Sequence, residues 1–250
     1  MEILAGFLIA AVIAMTGVGA GTITAPILIL FLHVPAGIAV GTALAYSAMV
    51  KLIVAPVQIV RRQVNYRVLA FMLLGGMPGV ILGSLLFYRV AVRGSWTVLY
   101  WVLGAIIIFT SSWHILRYFR PPVAGSGPKD RLWWIAALMF PISAEVGFSS
   151  SGAGALGTVA LLSLTSLPAI QVVGTDLVFG LGVTLAGSGI HVINGTYNAV
   201  LLTKLVAGGI LGAIVGSGIS PHVPSRQLRF ALSAFLFALG VEFCFRAARF

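Results

Sequence analysis

Gly17-Val18-Gly19-Ala20-Gly21-Thr22 interrupts an apolar run from about residue 2 to 32, and Gly147-Phe148-Ser149-Ser150-Ser151-Gly152-Ala153-Gly154 interrupts a second from about 131 to 164. Each run is too long for one membrane crossing, which takes about 20 apolar residues. Glycine lets a helix unwind at the break. It also leaves bare N–H groups at the start of the helix that follows, where the dipole favours an anion. Unwound backbone within a bilayer is tolerated only beside protein or a water-filled cavity. Two such breaks facing each other, flanked by the hydroxyls of Thr16, Thr22, Thr24, Ser149, Ser150 and Ser151, predict an anion site.

Working outward from the breaks, a shift of 133 positions carries Gly19-Ala20-Gly21 onto Gly152-Ala153-Gly154 and, without a gap, Pro35-Ala36 onto Pro168-Ala169 and Gly41-Thr42 onto Gly174-Thr175. The same shift carries Asn65 onto Asn198, Gly75-Gly76 onto Gly208-Gly209, Gly79 onto Gly212 and Gly83-Ser84 onto Gly216-Ser217. Roughly 30% of positions 19 to 84 are identical on this shift, concentrated on Gly and Pro, which argues for an internal duplication. Duplicated halves with glycine-rich breaks at corresponding places are the pattern of a secondary transporter, with the binding site at the breaks.

Composition agrees with a membrane solvent. Hydrophobic residues make up 60% of the 250 and charged residues only 8%, against about 25% charged in a soluble domain. Further apolar runs at about 37–60, 67–90, 96–117, 170–193, 199–220 and 227–247 bring the total to about eight membrane segments. We therefore expect an all-α integral membrane protein of two tandem four-segment repeats, residues 1–119 and 132–250. The Pro, Gly and charged residues of 120–131 form a solvated linker between them. The N-terminus lacks the basic start of a signal peptide and reads as part of the first membrane segment.

The net charge of +10 does not call for nucleic acid, because the arginines sit between apolar runs, where basic residues report orientation. Arg61, Arg62, Arg67, Arg117, Arg120, Lys129 and Arg131 lie on one face and Arg89 and Arg93 on the other, which makes the first face cytoplasmic. If each broken segment crosses fully, the halves are parallel and both termini are cytoplasmic. If each is a re-entrant hairpin, the halves are inverted and both termini are outside. The base-free loop 194–198, whose counterpart 61–67 holds three arginines, favours inversion.

A single cysteine, Cys244, excludes disulfide frameworks and thiolate metal centres, and no cofactor or metal is expected. Gly75, Gly79 and Gly83, repeated as Gly208, Gly212 and Gly216, line one helical face and suit close packing. Ionisable residues inside apolar runs are functional candidates, because an unpaired charge there costs several kcal/mol. They are Lys51, Glu145, Asp176, His191, Lys204 and Glu242. Asp176 is matched by Ala43 on the shift, so a carboxylate has been added to one half only. A carboxylate in low dielectric can hold and release a proton, although an acid this near a segment start also suits a helix N-terminus. Glu145, ahead of the second break, is the other coupling candidate. Lys51 is a candidate positive partner for an anion, His191 reads as interfacial, and Lys204 and Glu242 read as pairing or snorkelling residues.

These motifs resemble the sulfite exporter TauE/SafE family, also described as toluenesulfonate-uptake permeases. The resemblance is carried by Gly17-x-Gly19-x-Gly21 with Pro26, by Pro35 and Ala39-Val40-Gly41-Thr42, by the basic loop 61–67 and by the stripe from Gly75. In the second half it is carried by Gly152-x-Gly154, Pro168, Val172-Val173-Gly174-Thr175 and Gly208 to Gly216. It implies about eight membrane segments built from a duplicated half, and movement of sulfite, sulfonates or related organosulfur anions. Where the family has three consecutive glycines this chain has Gly19-Ala20-Gly21 and Gly152-Ala153-Gly154, so an extra methyl narrows each break.

The expected function is secondary transport of a small anion by alternating access in the plasma or inner membrane of a prokaryote. The expected substrate-binding residues are Gly19, Gly21, Thr22, Thr42, Lys51, Ser151, Gly152, Gly154 and Thr175, with Asp176 and Glu145 for proton coupling and no catalytic residue. An anion channel is one alternative. An intramembrane serine hydrolase using Ser149 to Ser151 with His191 is another, although its Gly-x-Ser-Gly context is absent.

Overall fold

The computed structural model describes residues 1–16, 20–94, 96–119, 131–150, 153–219 and 225–248. These form ten α-helices: α1 (Glu2–Thr16), α2 (Ala20–Leu30), α3 (Ala36–Val60), α4 (Tyr66–Val92), α5 (Trp96–Phe119), α6 (Leu132–Ser149), α7 (Ala153–Leu164), α8 (Ala169–Ile193), α9 (Ala199–Ile219) and α10 (Ser225–Ala248). The eight apolar runs become ten helices because the first and fifth are each two. The all-helical outcome follows from the solvent, since a bilayer core offers no water to satisfy backbone groups. Residues 120–130, most of the expected linker, lie outside the described residues.

Among the described residues, six helices are long and apolar enough to cross a membrane: Ala36–Val60, Tyr66–Val92, Leu132–Ser149, Ala169–Ile193, Ala199–Gly216 and Phe230–Ala248. Shorter apolar helices lie at Glu2–Ile13, Gly21–Leu30 and Thr97–Trp113. Trp133, Trp134, Ile193 and Phe245 are among many large apolar side chains on the outer surface, which suits lipid as the surrounding medium. This is a multi-pass membrane protein.

Helix starts are set locally. Pro35 and Pro168 precede α3 and α8, where a missing N–H costs nothing because the first N–H groups of a helix have no partner within it. Asn65 caps α4 by accepting the Val68 N–H at 3.1 Å, and Asn198 caps α9 by accepting the Leu201 N–H at 3.0 Å.

Glycine fixes how the helices cross. A methyl on Gly75, Gly79 or Gly83 would overlap the carbonyl of Ala136, Phe140 or Ala144 in turn, so α4 and α6 run parallel with their backbones in contact. Gly208, Gly212 and Gly216 meet the carbonyls of Ile3, Phe7 and Ala11 in the same way, which makes α9 parallel to α1. Small residues allow this approach in membranes. By contrast α3 and α8 are antiparallel: Gly41 faces His191 and the Thr196 carbonyl, Leu44 faces Gly187, Lys51 faces Gly180, and the Gln63 carbonyl faces Gly174. The α5–α10 pair is antiparallel too, with Gly104 against Cys244 and Gly240 against Ile108.

Candidate functional site

The two breaks meet. Gly21, second residue of α2, lies so close to Ser150 at the end of α6 that a methyl on it would overlap the Ser150 carbonyl and sit 2.6 Å from the Ser150 Oγ. Thr22 and Thr24, in the first turns of α2, are buried. Ser149 Oγ donates to the carbonyl of Glu145 at 3.1 Å and to its Oε1 at 3.2 Å. Of the other residues expected here, Gly154 is the second residue of α7, while Gly19, Ser151 and Gly152 lie outside the described residues.

Thr42 and Thr175 lie in the second turns of α3 and α8. The Thr42 hydroxyl donates to the Ile38 carbonyl at 2.8 Å and accepts the Asn198 N–H at 3.0 Å. The Thr175 hydroxyl accepts the Asn65 N–H at 2.9 Å. Each threonine thus takes a backbone N–H from the helix start of the other half of the chain.

Lys51 and Asp176 lie along the same stretch of α8. Asp176 is buried; its Oδ2 accepts from Thr158 Oγ1 at 2.8 Å and its Oδ1 fills the space over Gly157. Four residues along the same face of α8, Gly180 lacks a side chain, and the Lys51 ammonium occupies that room. Among the described residues no ion pair joins Lys51 to Asp176. The pair lies beside the α7 side of the second break, since Gly157 is three residues, about 4.5 Å, beyond Gly154, and farther from its α6 side. Gly187 touches Ser84 Oγ, which donates to the Gly147 carbonyl at the second break. Gly187 is seven residues, about 10 Å, from Gly180.

Glu145, whose Oε1 accepts from Ser149, also lines an apolar cleft with Ile106, Phe109 and Thr110 of α5. His191 is buried in the protein: Nδ1 lies 2.8 Å from Thr196 Oγ1, Nε2 lies 3.4 Å from the Gly147 carbonyl, and its ring packs on Phe87. The reason is α3, whose glycine at position 41 lets the helix close over the imidazole. Lys204 pairs with Glu2 at 2.6 Å and Arg246 with Glu242 at 3.1 Å.

A family profile described as sulfite exporter TauE/SafE matches residues 2–243. The chain is similar to the probable membrane transporter protein YjnA of Bacillus subtilis (strain 168), with 27% identity over 250 residues that cover 96% of this chain and 97% of that protein. No solved structure matches it. Transport rather than hydrolysis is the business of this family, so the serine hydrolase alternative falls. Nearly the whole chain lies within the match, and the chain belongs to the sulfite exporter TauE/SafE family.

Proposed function

We propose that the protein is a secondary transporter of a small oxyanion, sulfite or an organosulfonate, which binds where the two breaks meet. The observation that carries this reading is the contact of Gly21 with Ser150, which brings the start of one half-helix against the end of another in the middle of a glycine-rich junction. Helix starts present unsatisfied N–H groups to an anion. In this reading the seat is formed by Gly19, Gly21 and Thr22 of the first break and Ser151, Gly152 and Gly154 of the second, with Thr42 and Thr175 holding the elements that frame it.

The halves are proposed to be inverted repeats of four segments, each beginning with a re-entrant hairpin. Support comes from α3 and α8, which correspond on the 133-residue shift and run antiparallel, and from α5 and α10, which do the same. Rocking of one half against the other would expose the seat to each side in turn. Because a potential of 100 mV is worth about 2.3 kcal/mol per charge, an inside-negative potential drives a monovalent anion outward unaided.

Lys51 supplies the positive field within the membrane, and Asp176 couples a proton to the cycle. Lys51 reaches the same face of α8 one turn from Asp176, at Gly180, while α7 presents Gly157 and Thr158 to the carboxylate. Protonation of Asp176 would leave the Lys51 charge uncompensated and raise its attraction for an anion. Glu145, which also lines the apolar cleft, is the second coupling candidate.

Gly21→Ala tests the seat. Its methyl has no room beside the Ser150 carbonyl, so saturable sulfite flux in proteoliposomes is expected to be lost. Wild-type saturable flux in that variant would overturn the placement of the site.

A further inference from the structure

Ser150 carries two costs that the fold alone does not require. It ends α6 with φ 63° and ψ 3°, the left-handed region, while its N–H donates to the Val146 carbonyl at 2.8 Å. At such a helix end glycine is the usual residue, because an L side chain there is strained. The chain uses glycine at the corresponding place in its first half, Gly17. Ser150 is also only 4% exposed, and its Oγ is buried with no hydrogen-bond partner among the described residues. A buried hydroxyl without a partner forfeits its hydrogen bonds to water. Strain and an unmet donor at one residue point to a ligand.

The direction of that hydroxyl is set by its neighbour. Oγ lies beside Gly21, and α2 is an eleven-residue helix beginning at Ala20, so the open N–H groups of its first turn are adjacent. We propose that Ser150 is a substrate ligand: its Oγ–H donates to an oxygen of the anion seated on the start of α2. The proton stays on Oγ throughout. The asymmetry between Ser150 and Gly17 then makes the second half the one that recognises oxygen, while the first supplies backbone. This assignment rests on the anion seat proposed above.

The test compares wild type, Ser150→Gly and Ser150→Ala in proteoliposomes, with sulfite as the transported probe and thermal unfolding in detergent as the control. Losing a hydrogen bond to a charged ligand raises the half-saturating sulfite concentration about tenfold in both variants. Ser150→Gly also removes the strain, so its unfolding temperature should equal or exceed that of wild type. Ser150→Ala retains the strain and should show no such gain. Wild-type half-saturation in the two variants overturns the role of Ser150 and leaves the anion seat standing. A raised half-saturation accompanied by a lower unfolding temperature in Ser150→Gly assigns the hydroxyl to structure and overturns the ligand role. Absence of saturable sulfite flux in wild type overturns the seat and the Ser150 assignment with it.

Discussion

Asn65 gives its backbone N–H to the hydroxyl of Thr175 at 2.9 Å, 110 residues away, and the mirror of this bond joins Asn198 to Thr42 at 3.0 Å. The four residues form two cross-links at opposite ends of the antiparallel α3–α8 pair. Each seats the loop of one half on the helix start of the other, with Gly41 and Gly174 providing the clearance for the Thr196 and Gln63 carbonyls.

Thr42→Val and Thr175→Val should therefore each cost about 1 kcal/mol of stability, the net worth of one partly buried hydrogen bond. Thermal unfolding in detergent reads this directly. Similar losses from the two variants are expected because the bonds are equivalent in kind; a neutral result in either would remove that cross-link from the account.

The glycine stripes give a second stability prediction. Gly79→Ala would push a methyl into the Phe140 carbonyl and Gly212→Ala into that of Phe7. Overpacking of this kind costs typically about 1–3 kcal/mol, so both variants should unfold at lower temperature than wild type. An alanine tolerated at both positions would mean that α4 and α6, and α9 and α1, do not approach as closely as described.

Inversion makes corresponding loops face opposite sides of the membrane. His33 and Ser166 correspond on the 133-residue shift, lie in the α2–α3 and α7–α8 connections, and are both exposed. In a Cys244→Ser background, an impermeant maleimide should label His33→Cys in intact cells and Ser166→Cys only after permeabilisation. Labelling of both from one side would require parallel halves.

Much of this architecture was legible because glycine, proline and asparagine do their work through the backbone. The 133-residue shift located the breaks and the packing stripes and matched Asn65 to Asn198, while the role of those two residues as helix caps emerges only from the structure. Depth and direction were not legible. His191 read as a residue near a segment end, and only the fold reveals that α3 covers it through the absence of a side chain at Gly41. Thr42 and Thr175 read as substrate donors, and only the tertiary fold reveals that their hydroxyls also accept backbone N–H groups from the other half of the chain. Ser150 stood among the flanking hydroxyls without being singled out. The signal was its replacement of Gly17, which becomes meaningful once its backbone is seen to be left-handed.

Asp176 provides the coupling prediction. Its carboxylate can lose a charge only by taking up a proton, so Asp176→Asn fixes the neutral form. Sulfite flux that responds to an imposed pH gradient in wild type should lose that response in Asp176→Asn while remaining saturable. If the response persists, Asp176 is a helix-start residue and Glu145 remains for the coupling role. Lys51→Met should raise the half-saturating sulfite concentration in either background, through loss of the positive charge.

The most direct measurement of the central claim is sulfite uptake into proteoliposomes holding the purified wild-type protein, over a range of sulfite concentrations and with a short sulfonate and sulfate as competitors. An anion seat between the breaks predicts flux that saturates and is reduced by the sulfonate. Flux that stays linear with concentration, or none above protein-free liposomes, would contradict it.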